Sequence, residues 1–76
     1  MNQKAQKFML KGDSLMGTGK YEEALRCYEE AVSIDPNEPG LWNKTGITLR
    51  SLGRYDEAVE CFNKSLKISP RDLDAS

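Results

Sequence analysis

The sequence contains an internal repeat, because residues 39–72 repeat residues 5–38 at an offset of 34 positions. The identical pairs are Gly12 and Gly46, Leu15 and Leu49, Gly19 and Gly53, Tyr21 and Tyr55, Glu23 and Glu57, Ala24 and Ala58, Cys27 and Cys61, Ile34 and Ile68, and Pro36 and Pro70. A period of this length is typical of stacked repeats, in which each unit contacts only its neighbours. Such a stack presents a long surface and usually no enclosed pocket, so we expect binding rather than chemistry.

The length and charge of the chain narrow the classes of function. Seventy-six residues make at most one domain, residues 1–76. The net charge of −1 argues against a general attraction to nucleic acid or to an anionic membrane. No apolar run approaches the ~20 residues of a membrane-spanning helix, and the first residues lack the apolar core of a signal peptide. We therefore expect a cytoplasmic protein with no nucleic-acid or membrane partner.

Apolar residues recur at helical spacing in four stretches. The expected helices run from about Gln3 to Gly17, from about Tyr21 to Asp35, from just after Asn37 to about Ser51, and from Tyr55 or Asp56 to about Ser69. Asn37 is the expected N-cap of the third helix, and Pro39 falls in its first turn, where the missing N–H breaks no hydrogen bond. Pro36 and Pro70 stop the second and fourth helices. The connecting loops are short, so neighbouring helices must be antiparallel.

Glycines within the helices predict close helix contacts. Gly12 and Gly46 each cost roughly 1 kcal/mol relative to alanine, so we expect another helix to approach at those points. Ala24 and Ala58 are the expected small partners on the second helix of each pair. The aromatic residues expected to fill the gaps between layers are Tyr21, Tyr55, Tyr28 and Phe62. Trp42 is expected to be a core residue.

One further pattern unites the repeats. The second repeat reads Trp42, Thr45-Gly46, Leu49, Gly53, Tyr55, Ala58, Phe62, Ser65 and Pro70, and the first reads Phe8, Lys11-Gly12, Leu15, Gly19, Tyr21, Ala24, Tyr28, Ala31 and Pro36. This pattern resembles the tetratricopeptide repeat. It departs from the family at the leucine position (Lys11 and Thr45), at the tyrosine position (Leu15 and Leu49) and at the second alanine (Ser65), all tolerable in a degenerate family.

The resemblance implies an all-α fold, an α-solenoid of two stacked antiparallel helix hairpins forming a right-handed superhelical segment. The first repeat would span residues 5–38 and the second residues 39–72. Residues 73–76 would then be the truncated start of a third repeat or a disordered tail.

The resemblance also implies a protein–protein interaction module that binds an extended or helical peptide on its concave face. The family's peptide-binding positions correspond here to Gln6, Met9, Asp13, Met16, Asn43, Ile47 and Arg50. Methionine suits a surface that adapts to several partners. Arg50 is suited to hold a carboxylate in a bidentate fork. The alternative is that these are ordinary helix residues, covered by a neighbouring copy of the chain or simply solvated.

Some members of the family hold the C-terminal carboxylate of chaperones with a Lys/Asn clamp spread over three repeats. Asn43 matches that clamp, but Met9 and Asp13 stand where it would place lysine and asparagine. The sequence therefore does not favour chaperone-tail binding.

The sequence offers little support for an enzyme, a cofactor or a metal site. It has no histidine, the usual general base near neutral pH. Cys27 and Cys61 occupy equivalent positions on stacked helices, on the order of 10 Å apart, too far for a disulfide. We expect them to be small, partly buried apolar residues. The segment Gly17-Thr18-Gly19-Lys20 echoes a phosphate loop but follows a helix and lacks the Ser/Thr that the motif requires.

Solenoids need about three repeats, or polar caps, to cover their ends. We therefore expect the fourth helix to expose an apolar side that includes Val59, Phe62 and Leu66. Two explanations are open: the chain is a fragment of a longer repeat protein, or it buries that side against another copy of itself. The second gives an alternative function, a self-assembly module that forms homo-oligomers through its uncapped helix faces.

Overall fold

The structure, a computed structural model, describes residues 2–69 of the chain. Four helices follow one another: α1 (Gln3–Gly17), α2 (Tyr21–Ile34), α3 (Pro39–Ser51) and α4 (Tyr55–Ile68). No strand occurs among these residues, so the all-α prediction is confirmed. The helices pack in chain order, α1 on α2, α2 on α3 and α3 on α4. None of the four is long and apolar enough to cross a membrane.

The loop within each hairpin turns on a glycine in the left-handed region. Gly19 has a φ of 80° and Gly53 a φ of 81°, a conformation that a side chain would strain. The N–H of Gly19 donates to the carbonyl of Met16, and the N–H of Gly53 donates to that of Arg50. These bonds satisfy carbonyls at the ends of α1 and α3, so both helices end as the glycine positions predict.

Asn37 does not cap α3, and that prediction was wrong. Pro39 occupies the first position of α3, so the cap falls on Glu38, whose side chain makes no capping hydrogen bond. A proline is already set for the first helical position, because its φ is fixed and it has no N–H to satisfy. The side-chain cap lies elsewhere: Asn2 accepts hydrogen bonds from the backbone N–H groups of Lys4 and Ala5 at the start of α1.

Aromatic rings, rather than alanines, lie against the two helix glycines. A Cβ placed on Gly12 would lie 2.6 Å from the Cε1 of Tyr28, and one on Gly46 would lie 2.6 Å from the Cε1 of Phe62. The close approach was predicted correctly, but Ala24 and Ala58 are not the nearest partners. The rings lie across the helix backbone, and only a residue without a side chain leaves them that space.

The predicted role of Tyr55 was wrong, because it is 64% exposed and does not fill the space between layers. Tyr21 is 37% exposed and lines a shallow cleft with Leu52, beside the loop of the second hairpin. Each is the first residue of its helix, where the chain has just left a surface loop.

The core consists of two clusters. The first contains Ala5, Ala31, Val32 and Leu41, and the second contains Leu25, Leu49, Ala58 and Cys61. Trp42 packs against both, and its indole N–H donates to the carbonyl of Pro36 at 2.7 Å. Cys27 and Cys61 are buried and free, as predicted. The predictions for Pro70 and for residues 73–76 lie outside the described residues.

Candidate functional site

A polar contact joins α1, α2 and α3 at Asp13. The Nζ of Lys44 lies 3.0 Å from the Oδ1 of Asp13, and the Tyr28 hydroxyl donates a hydrogen bond to the same oxygen. Both charged side chains keep more than a third of their surface exposed. The ion pair is therefore partly screened by water. Asp13, predicted as a peptide contact, is already engaged by two residues of the chain.

Burial makes the Tyr28 hydroxyl a weak acid. Its pKa is raised above the usual value of 10, first because the ring is removed from water and second because the hydroxyl donates to Asp13. Ionisation would place a phenolate beside a carboxylate. Tyr28 therefore remains a hydrogen-bond donor throughout the neutral range and holds the Asp13 carboxylate in place.

The two methionines of the predicted site are half-buried. Met9 packs against the first core cluster. The sulfur of Met16 lies 3.4 Å from the hydroxyl oxygen of Thr48, across the contact between α1 and α3. On α1, therefore, only Gln6 among the predicted peptide contacts is exposed.

The three predicted residues of α3 are all exposed. Asn43, Ile47 and Arg50 follow one another at helical spacing and share one face of the helix. Ile47 exposes 40% of its surface. Within residues 2–69, Arg50 forms no ion pair. The face therefore offers an amide, an aliphatic side chain and a guanidinium in a row.

Equivalent positions of the two repeats have different surroundings. Asp13 corresponds to Ile47, and its partner Lys44 comes from the helix that follows it in the stack. No residue within 2–69 follows α3 and α4 in the same way. Asn43 lines one shallow cleft with Leu66 of α4. Leu66 was predicted to contact another copy of the chain and not a peptide. Asn43, predicted to bind peptide, and Leu66, predicted to bind another copy, are therefore neighbours.

The sequence comparison agrees with this architecture. A family model described as the tetratricopeptide repeat matches residues 13–76. The chain belongs to the tetratricopeptide repeat family. Members of this family generally mediate protein–protein interactions and are typically scaffolds without catalytic activity.

In this tetratricopeptide chain, α4 exposes part of the predicted apolar side. Val59 is 55% exposed and Leu66 is 48% exposed. Phe62 is only partly exposed, because its ring packs over Gly46. Phe62 therefore contributes to the exposed side, as expected, but less than Val59 and Leu66. A ring that packs on the helix backbone beneath it has less of its surface left for solvent.

Two features of the tetratricopeptide surface were not found from the sequence. Leu10 is 55% exposed on α1, where α3 carries Lys44 at the equivalent position. A cleft of about 330 Å³ also lies between α2 and α4. It is lined by Glu29, Val32, Trp42, Thr45, Leu49, Glu57, Glu60, Cys61 and Lys64. The sequence did carry a signal for the exposure of Leu10, because the equivalent position of the second repeat is the charged Lys44. It carried none for the cleft, which depends on how the helices pack and not on the apolar period.

Cys61 is the thiol that lines this cleft. Burial, followed by the charge of Glu60, raises the pKa of the Cys61 thiol. A protonated thiol is a poor nucleophile and a poor metal ligand. The Lys64 ammonium lies over the Trp42 ring, 4.9 Å from its centre, at the distance of a cation–π contact. In the described part of the chain, no group of three or more cysteine, aspartate or glutamate residues could hold a metal ion.

Proposed function

We propose that the chain binds a peptide segment of another protein along the exposed face of α3, bordered by α1. The observation that carries this proposal is the row Asn43, Ile47 and Arg50, in which an exposed aliphatic side chain lies beside a guanidinium that has no ion-pair partner within residues 2–69. Met9 and Met16 occupy on α1 the positions that Asn43 and Arg50 occupy on α3, Gln6 lies one turn before Met9, and Met16 also contacts Thr48 of α3. Asp13 contributes by holding Lys44 rather than by touching the ligand.

The chemistry of the row defines the ligand. Arg50 suits a carboxylate, held by two parallel N–H···O bonds. Ile47 suits an apolar side chain, because its exposed surface gains about 25 cal/mol for each Å² removed from water. The amide of Asn43 can both donate to and accept from the peptide backbone. The expected ligand is therefore an extended or helical segment with an acidic residue near an apolar one.

A displayed library of random peptides tests this proposal without presupposing a partner sequence. Peptides selected on the whole chain should be enriched in an acidic residue near an apolar one. In calorimetry with a synthetic copy of the strongest peptide, Arg50→Gln should weaken binding at least ~10-fold, the effect of losing a charge-assisted hydrogen-bond pair. Arg26→Gln is the matched control, because Arg26 is an exposed arginine of α2, away from the row.

The control variant Arg26→Gln should bind the peptide with an affinity within about twofold of that of the unchanged chain, since isolated surface charges contribute little to binding. Peptides that bind Arg50→Gln and Arg26→Gln equally well would contradict the proposed face. A library that yields no binder at all would contradict peptide binding itself.

A second candidate function, self-association through α4, is favoured by a different observation. Val59 and Leu66 are 55% and 48% exposed, whereas their equivalents in the first repeat, Leu25 and Val32, are 5% and 9% exposed. Sedimentation equilibrium over a wide range of concentrations tests this candidate. A single species with the mass of one chain at every concentration would exclude it.

A further inference from the structure

The two ends of the stack have opposite chemistry. Helix α3 covers the first repeat with residues that include Leu41 and Thr45, which are 0% and 4% exposed. The equivalent residues of α1 are Lys7 and Lys11, both exposed. Val59, at the other end, stands on α4 where α2 carries the buried Leu25. We call Lys7 and Lys11 the polar cap of the α1 end, although Leu10 of the same helix is 55% exposed, and the α4 end is apolar at its stacking positions.

This asymmetry opposes head-to-tail stacking of copies. If α1 of a second chain lay on α4 as α3 lies on α2, Lys7 would take the fully buried place of Leu41 and Lys11 that of Thr45. Burying an ammonium without a partner costs several kcal/mol. The residue at the equivalent of Glu29 on α4 is Asn63, which offers neither lysine a charge. The apolar end thus suits another apolar end better than it suits the polar cap.

The charges of α4 are self-complementary. Its acidic residues, Asp56, Glu57 and Glu60, all lie in the first half of the helix. Its basic residues, Lys64 and Lys67, both lie in the second half. A second α4 running in the opposite direction places acid opposite base at both ends, and the helix dipoles also oppose. A parallel partner would place like charges together.

We propose that two copies of the chain pair through α4, antiparallel about a twofold axis. This proposal rests on the self-association candidate above and specifies its geometry. Val59 and Leu66 are two helical turns apart on one stripe, so that antiparallel pairing sets each Val59 against the partner's Leu66. Asp56 and Lys67 lie along the same flank of that stripe, at its two ends. The flank of one helix meets the same flank of the other, which brings each Asp56 near the partner's Lys67.

Sedimentation equilibrium of the full chain at low ionic strength provides the first test, because exposed charge pairs are screened by salt. A monomer–dimer equilibrium with no larger species is expected. Leu66→Glu should weaken the dimer at least ~10-fold, since it places two carboxylates in the apolar contact. Leu10→Glu is the matched control, because Leu10 is also about half exposed, at 55%, but lies on α1. It should leave the dimer unchanged.

A mixing experiment tests the antiparallel register. Asp56→Lys alone and Lys67→Glu alone should each weaken the dimer roughly fivefold or more, because each creates two like-charge contacts. An equimolar mixture of the two variants should recover a dimer close to that of the unchanged chain, because both contacts then join opposite charges. Circular dichroism of each variant verifies that α4 remains helical.

Each outcome decides one level of the proposal. A chain that stays monomeric throughout overturns both self-association and the paired helices. A dimer that survives Leu66→Glu, or that the mixture does not restore, overturns the antiparallel α4 contact while leaving self-association intact. Species larger than a dimer that Leu10→Glu abolishes would establish head-to-tail stacking in its place.

Discussion

The two repeats carry one pattern but meet different surroundings, and the difference shows what determines burial in a stack. Leu25 is 5% exposed and its equivalent Val59 is 55% exposed, although both occupy the same place on the second helix of a hairpin. Their side chains are similar, and within residues 2–69 only the first has a following hairpin packed on it. Burial in a repeat protein is therefore set by position in the stack as much as by the repeat itself.

The hairpins also differ through a coordinated pair of substitutions. In the first, the Tyr28 hydroxyl donates to Asp13. In the second, Phe62 replaces the tyrosine and Ile47 replaces the aspartate, so that donor and acceptor are lost together. Either change alone would remove one partner of this hydrogen bond and leave the other polar group without it. A side-chain hydrogen bond thus joins α1 to α2 in the first hairpin, whereas the equivalent residues of the second hairpin, Ile47 and Phe62, can make only apolar contact.

The largest difference in the free energy of unfolding is expected between two Leu→Ala variants, one on α2, which α3 covers, and one on the exposed side of α4. Leu25→Ala should lower the free energy of unfolding by about 2–5 kcal/mol, because it leaves a cavity in the second core cluster. Leu66→Ala, on a side chain that is 48% exposed, should lower it by less than ~0.5 kcal/mol. Urea unfolding at protein concentrations low enough to keep any dimer dissociated measures both. Equal losses would mean that α4 is as well covered as α2.

The fold was largely predictable because its determinants are local. The apolar period and the glycines at 19 and 53 give the helices and the hairpin turns without any tertiary information. The cap of α3 was missed because Asn37 is the better capping side chain, whereas the fixed φ of Pro39 starts the helix one residue later. The aromatic partners of Gly12 and Gly46 were missed, and alanines were predicted instead, because residue size indicates close packing but does not say which neighbour fills the space.

The candidate surface was less predictable, because it depends on contacts between hairpins. Helical spacing shows that Asp13 and Ile47 occupy equivalent faces, but not that Lys44 reaches back across 31 residues to bind one of them. For the same reason Met9 and Met16 were expected to be free and are half-buried. Spacing identifies a face, and only the packing of the next helix decides how much of that face remains available to a ligand.

An intermediate effect on the free energy of unfolding is expected when alanine replaces Gly12 or Gly46, each of which lies under an aromatic ring. Gly12→Ala should destabilise the chain by roughly 1–2 kcal/mol, because overpacking exceeds the ~1 kcal/mol gain in helix propensity. Tyr28 is 2% exposed and tied to Asp13, so its ring has little room to move. Gly46→Ala should cost less than ~1 kcal/mol, because Phe62 is partly exposed and has no hydroxyl to hold it.

Thermal or urea unfolding of the two glycine variants measures this difference, with Gly17→Ala as the control. A Cβ at Gly17 meets nothing within 4 Å, so that variant should gain stability from helix propensity alone. If Gly46→Ala proved the more damaging of the two, the view that the Tyr28 network makes the first hairpin the more rigid would be contradicted.

The smallest effect is a loss of stability at alkaline pH, which we expect from Tyr28 of the first hairpin and not from its equivalent Phe62. The pKa of Tyr28 is raised above 10 by burial and by its hydrogen bond to Asp13. Near pH 10 the unfolded chain loses this proton while the folded chain keeps it. The free energy of unfolding contributed by Tyr28 is therefore constant below about pH 10 and falls above it, by at most ~1.4 kcal/mol per pH unit.

Tyr28→Phe gives the first hairpin the aromatic residue of the second and removes this titration. The variant should lose about 1 kcal/mol at neutral pH, the net value of one hydrogen bond. Above about pH 10 its urea-unfolding free energy should fall less steeply than that of the unchanged chain. Cys61, whose pKa is also raised, titrates in both proteins and cancels in the difference. If the two curves ran parallel across the alkaline range, the Tyr28 hydroxyl would not be held by Asp13 in the folded chain.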